Sequence, residues 1–157
     1  MKKKINRTLK LLFSFFICFF AAFIGSIFTK PSINGWYVYI NKPSFTPPNW
    51  IFGPVWTVLY ALMAVSLYIV WIKKQKSMKP YLFFGLQLSF NVLWSILFFG
   101  FHSILLAFFN IILLWFFVLL TILNFYKVSK ISAYLFIPYF VWISFASLLN
   151  FYILILN

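Results

Sequence analysis

Five apolar runs, each long enough to cross a lipid bilayer, hold no charged residue, and no Asp or Glu occurs anywhere in the 157-residue chain. The runs are predicted as helices at about 11–28, 50–72, 81–101, 104–126 and 132–156, with one long connection at 29–49. At 1.5 Å per residue, the first run reaches roughly 27 Å, close to the thickness of a hydrocarbon core. A soluble domain needs polar surface over its core. Only 8% of this chain is charged while 65% is hydrophobic, so its outer surface must meet lipid. The expected fold is an all-α integral membrane protein, a single five-transmembrane-helix bundle occupying 1–157. The basic residues ahead of the first run suggest a signal peptide, but the run is long and lacks a clear small-residue cleavage signal before Lys30 and Pro31.

The net charge of +13 raises nucleic acid as a partner, yet the distribution excludes it. The lysines and the one arginine sit in the gaps between runs and form no basic face, a pattern of headgroup anchoring on membrane lipids. Eleven of the thirteen fall on the side shared by the amino tail, the second loop and the fourth loop. The amino terminus is therefore expected in the cytoplasm of a cell membrane, with the carboxyl terminus and the long first loop outside.

The missing carboxylates also limit the chemistry. Paired-carboxylate acid–base catalysis is excluded, as is a carboxylate proton relay or sodium site. One cysteine, Cys18, and one histidine, His102, cannot assemble a metal site, and no cofactor is expected. Cys18 reads as a small buried hydrophobe. His102 reads as a polar loop residue, with a ligand or acid–base role at the solvent edge as the alternative.

The informative groups are neutral. Gln87, Asn91, Trp94 and Ser95 recur at helical spacing and share one face. An amide facing lipid lacks partners, so this face should point inward, either as glue between helices or as part of a pocket. Pro138, Trp142, Ala146 and Asn150 repeat the pattern in the fifth run, and Pro138 is expected to kink that helix or free a carbonyl. Trp36, Trp50 and Trp71 lie near run ends, as interfacial indoles do, whereas Trp94, Trp115 and Trp142 lie deep. Deep indoles suggest either aromatic cavity walls or plain packing. Trp50, Trp56 and Tyr60 form a stripe descending from the first loop, whose four prolines and Trp36, Tyr37, Tyr39 and Phe45 suit an interface or a cover over a binding site. In the first run, Ala21 and Gly25 would let another backbone approach closely or merely fill space. A pocket of this kind suits a large, flat, mostly apolar ligand, with basic loops at its rim to meet carboxylates.

Three blocks carry a resemblance: WYVYINKPSFTPPNWIFGPVWTVLY at 36–60, QLSFNVLWSILFF at 87–99 and PYFVWISFASLLN at 138–150. Over nearly its whole length the chain resembles the tryptophan-rich sensory protein family, which includes the translocator protein or peripheral benzodiazepine receptor. The resemblance implies a five-helix bundle, usually a homodimer, with a pocket beneath the first loop that takes porphyrin or haem-like molecules, isoquinoline-type ligands and in some members sterols. Some bacterial members are reported to promote light- and oxygen-dependent breakdown of protoporphyrin. It implies that Trp50 and Trp142 are pocket tryptophans, and the indole chemistry of these two makes them the candidate electron or radical partners if porphyrin is degraded. It implies polar contacts from Asn91 and Gln87, a lid containing Trp36 and Tyr37, and walls that include Tyr60 and Trp94.

Two departures bear on function. Asn110, also expected as a ligand-binding residue, stands where family members often carry an acid, which keeps a hydrogen-bonding group without the charge. No Lys or Arg follows Tyr152, so the sterol-recognition pattern of animal members is incomplete. Three roles share the expected pocket: tetrapyrrole sensing or removal, passage of a lipophilic solute, and ligand-dependent regulation of a membrane partner. The orientation is open to direct test. A reporter active only in the cytoplasm is expected to be silent when fused to Asn157, and activity there reverses the orientation.

Overall fold

The computed structural model describes residues 6–73 and 75–157, and every regular element among them is helical. In chain order these are α1 (Arg7–Ile33), α2 (Trp36–Tyr39), α3 (Asn49–Ile72), α4 (Lys79–Ser95), α5 (Ile104–Tyr126), α6 (Lys130–Leu135) and α7 (Ile137–Leu156). A π-helical turn, Ile96–Gly100, extends α4, and α6 and α7 together make one span, so five segments are long and apolar enough to cross a membrane. The chain is a multi-pass integral membrane protein. Lys2, Lys3, Lys4 and Lys74, which contribute to the orientation argument, lie outside the described residues.

Several boundaries differ from expectation for local reasons. α1 continues through Lys30 and Pro31 into the segment expected as loop. Pro31 sits in the last turn, where its missing N–H removes only one helical bond. Inside the long connection, residues 36–39 form the short α2. α3 begins at Asn49, which puts Pro54 in the second turn and deprives the Trp50 carbonyl of its i+4 donor. The last span breaks at Phe136, whose N–H turns back to the Ala133 carbonyl at 3.0 Å, and Pro138 then starts α7 where no amide donor is needed.

The bundle has a basic end and a loop end. Lys10 at the start of α1 donates to the Trp71 carbonyl at the end of α3 (3.2 Å), so the amino segment and the α3–α4 connection lie together. The opposite end carries α2, the first loop, His102 and the end of α7. Toward the basic end the interior is solid, with Cys18, Met63, Ala64, Val70, Ile111, Val118, Phe125 and Phe136 fully buried. There Ser66 and Ser132 clasp reciprocally, each hydroxyl donating to the other's carbonyl at 2.8 Å, which ties α3 to α6 without a charge. A smaller cluster of Tyr37, Phe98, Phe99, Ala107, Leu149 and Ile153 closes the loop end. The outer faces of α1 and α5 expose Phe13, Phe16, Phe20, Leu105, Phe109 and Phe116, a surface suited to lipid.

Glycine sets two close approaches. A Cβ at Gly25 would sit 3.2 Å from Ser95 Oγ, so Gly25 lets α1 lie tight on α4. A Cβ at Gly100 would sit 2.8 Å from Phe28 Cδ1. Gly85 meets nothing within 4 Å. Gly100→Ala is therefore expected to cost about 1–3 kcal/mol of stability. Gly85→Ala should leave stability unchanged or raised, and unfolding of both variants in matched detergent checks the contrast.

Candidate functional site

Between the solid half and the loop-end cluster lies a cavity of about 510 Å³, within the range of small-molecule pockets. Four helices wall it. α3 supplies Phe52, Gly53, Trp56, Thr57 and Tyr60, a helical stripe running down from Asn49. α4 and its π turn supply Asn91, Trp94, Ser95, Phe98 and Phe99. α7 supplies Trp142, Phe145, Ala146, Leu149, Asn150 and Ile153. α1 contributes small residues, Ala22, Gly25, Ser26 and Thr29, flanked by Phe19, Phe23 and Lys30.

The floor is a neutral hydrogen-bond chain. The Tyr60 hydroxyl donates to Asn91 Oδ1 at 2.5 Å, and Asn91 Nδ2 donates to the Tyr139 hydroxyl at 2.8 Å. All three are buried and join α3, α4 and α7. Tyr60 lies eleven residues past the start of a helix of 24, so the floor is near the middle of that span. Higher up, Trp94 Nε1 donates to Asn150 Oδ1 at 2.9 Å and stacks on Phe98, with ring centroids 5.1 Å apart. Opposite, Trp142 lies between Phe52 and Phe145, at 6.1 and 5.8 Å.

The roof is the first loop, held by several independent contacts. Tyr37 is 3% exposed and packs on Phe98 and Phe99. Burial pushes its phenol up to about 12. Lys42 donates to the carbonyls of Tyr37 (2.6 Å), Ile40 (2.9 Å) and Val38 (3.3 Å), and its ammonium lies 4.8 Å over the Tyr37 ring. Its pKa is lowered by partial desolvation. Asn41 and Asn157 pair reciprocally, each nitrogen–oxygen distance being 3.0 Å. Phe45 meets Tyr152 edge-on at 5.3 Å.

Of the ten ligand-binding residues expected from the sequence, six line the cavity: Tyr37, Trp56, Tyr60, Asn91, Trp94 and Trp142. Four do not. Trp50 is 74% exposed at the start of α3, at the edge of the stripe that faces inward, in the setting of an interfacial indole. Trp36 stacks on His102 at 4.5 Å and lines a separate pocket of about 310 Å³ on the outer side of the roof. His102 is held there by φ 54° and a 3.2 Å hydrogen bond with Ser32. Gln87 shares the Asn91 face but lies one turn nearer the basic end, beneath the floor, where Nε2 approaches Met63 Sδ at 3.8 Å and Oε1 has no protein partner. Asn110 donates to the Phe90 carbonyl at 2.8 Å and acts as glue between α5 and α4. Trp115 is also packing, with Nε1 on Ser144 Oγ at 2.9 Å.

Other wall residues escaped the sequence reading. Phe98 and Phe99 extend the 91–94–95 spacing by one more turn and could have been found that way. The small residues of α1 carry a weaker signal, since small residues also serve packing alone. Among the described residues no cluster of His and Cys could hold a metal ion. The wall offers apolar faces and neutral donors, so its chemistry is binding and orientation. The floor gives a contrast in stability. Asn91→Leu strands two buried phenols and is expected to cost about 1–3 kcal/mol, whereas Gln87→Met removes an unpaired oxygen and should be near neutral. Denaturant titration in micelles measures both.

Comparison with known proteins places the chain in a family. The TspO/MBR family model matches residues 14–156. The chain is 48% identical over 151 residues to a tryptophan-rich protein TspO of Archaeoglobus fulgidus, covering 95% of this chain and 97% of that protein. It is 42% identical over 145 residues to the tryptophan-rich protein TspO of Chlorobaculum tepidum, covering 90% and 91%. The human translocator protein is 33% identical over 133 residues, covering 82% and 79%. With five spans, an aromatic cavity under the first loop and this extent of identity, the chain belongs to the TspO/MBR family.

Proposed function

We propose that this protein binds porphyrin- or haem-type tetrapyrroles in the cavity beneath its first loop and promotes their light-dependent breakdown. The carrying observation is the wall itself: Trp56, Trp94, Trp142, Phe98 and Phe145 enclose about 510 Å³ with flat apolar faces, among neutral amides and hydroxyls. A planar aromatic ligand gains both burial and ring–ring contact there. Family membership supports a ligand-binding membrane role, and the resemblance of the three sequence blocks supports the tetrapyrrole.

Breakdown of a porphyrin needs no acid or nucleophile from the protein, because the ligand absorbs the light and dissolved dioxygen serves as the oxidant that accepts the electrons. Trp142 stands in the wall and is the better placed of the two tryptophans that the resemblance offers as electron partners, since Trp50 lies outside the lining. Passage of a solute through the bundle is the less supported reading. It requires opening the Tyr60–Asn91–Tyr139 floor and the solid half below it. Pairing of two copies and a cytoplasmic amino terminus belong to the same proposal, on the resemblance and on the distribution of lysines respectively.

Titration of the purified protein with protoporphyrin, followed at the Soret band, tests the site. Trp142→Leu is expected to weaken binding by about five- to thirtyfold, corresponding to roughly 1–2 kcal/mol of lost ring contact and burial. Under illumination the Soret band should decay faster than in detergent with free tryptophan. Equal decay rejects the breakdown activity, and unchanged affinity in the variant rejects the site.

A further inference from the structure

We propose that Lys30 makes the cavity selective for anionic amphiphiles, its ammonium pairing at the mouth with a carboxylate of a ligand whose flat apolar body lies deeper. The inference rests on the reading of the cavity as a ligand site and adds a charge requirement to it.

Three observations lead there. Lys30 is the one charged side chain in the lining. It stands in the last turn of α1, exposed, at the loop end of a wall that is otherwise neutral down to the floor. Second, no side-chain carboxylate is available to neutralise it, because the sequence contains no Asp or Glu. A carboxylate brought by a ligand can take that place, and near a low-dielectric mouth the attraction for an opposite charge is stronger than in water. Third, Lys42, also at the loop end, is already committed to the carbonyls of Tyr37, Val38 and Ile40.

The deeper wall holds no second cation to take over the role. Asn91 is engaged with Tyr60 and Tyr139, and Asn150 with Trp94. The hydroxyls of Thr29 and Thr57 donate to carbonyls of their own helices. A carboxylate carried inward would lose hydration without gaining a cation, which is strongly unfavourable. At the level of Lys30 it keeps contact with water and gains an ion pair. The long aliphatic stem of the lysine can lie along the apolar wall while its ammonium stays at the mouth.

The alternative is that Lys30 pairs only with lipid phosphates, and the test separates the two. The full chain is placed in zwitterionic phosphatidylcholine nanodiscs and titrated with protoporphyrin and with its dimethyl ester, which lacks the negative charges. Wild type should prefer the acid. Lys30→Gln should weaken the acid by roughly three- to tenfold, leave the ester within about twofold, and be rescued by Lys30→Arg. A parallel pair, pyrenebutyric acid and pyrenebutanol, probes charge without the tetrapyrrole. Loss of acid preference in Lys30→Gln for either pair supports the role. Equal weakening of acid and neutral forms assigns Lys30 a structural part and overturns it. No effect on any of the probes leaves Lys30 to the headgroups and also overturns it. If neither porphyrin form binds while pyrenebutyrate depends on Lys30, the tetrapyrrole reading fails and the charge selectivity stands.

Discussion

A polar group inside a bilayer must find its partner within the protein, and in this sequence the partner is never a carboxylate side chain. That constraint shapes the interior. Where another membrane protein could use an ion pair, this one uses neutral pairs between helices: Ser66 with Ser132, Trp94 with Asn150, Trp115 with Ser144, and Tyr60 and Tyr139 through Asn91. Each holds two helices in register without the desolvation penalty of a buried charge. The polar interior is thus also the scaffold of the bundle, and it gives the cavity Tyr60, Asn91, Trp94 and Asn150 among its apolar walls.

The neutral chain at the floor divides the bundle into unequal halves. Toward the basic end, methionine, valine, isoleucine and phenylalanine fill the space between helices. Toward the loop end, large rings stand against small residues of α1, and the space stays open. A solid half gives the hollow half walls that keep their place, so a ligand meets a largely formed site. The roof is tied separately, by Lys42 on backbone carbonyls and by Asn41 on Asn157. It rests on the bundle through Tyr37 on Phe98 and Phe99 and through Phe45 on Tyr152.

Much of this was legible in the sequence because lipid imposes simple rules. Five uncharged runs gave five spans, and helical spacing placed Asn91, Trp94, Trp142 and Asn150 on inward faces. Periodicity reports which face points inward and not the depth at which the interior turns from solid to hollow. Gln87 and Asn91 lie on one stripe, yet only Asn91 reaches the cavity, because the crossing hydroxyls of Tyr60 and Tyr139 close it there. Asn110 and Trp115 lie away from the lining for a related reason: α5 packs behind α4 and α7, and a helix pattern alone does not say which neighbour an inward face meets. The continuation of α1 past Pro31 was hidden by the usual reading of proline as a breaker, which weakens in a last turn.

The π turn at the end of α4 has a consequence for how such a cavity can change over time. A wide turn of this kind accommodates one residue more than the regular helix would need. Here the extra residue falls among Phe98, Phe99 and Gly100, where wall, roof and α1 meet. Losing or gaining a residue within 96–100 would rotate the phenyl rings relative to Trp94 while the span below stayed in lipid with its hydrogen bonds intact. The dimensions of the cavity can therefore drift by changes in chain length at one turn, a route to new ligand shapes that leaves the membrane anchoring of the protein untouched.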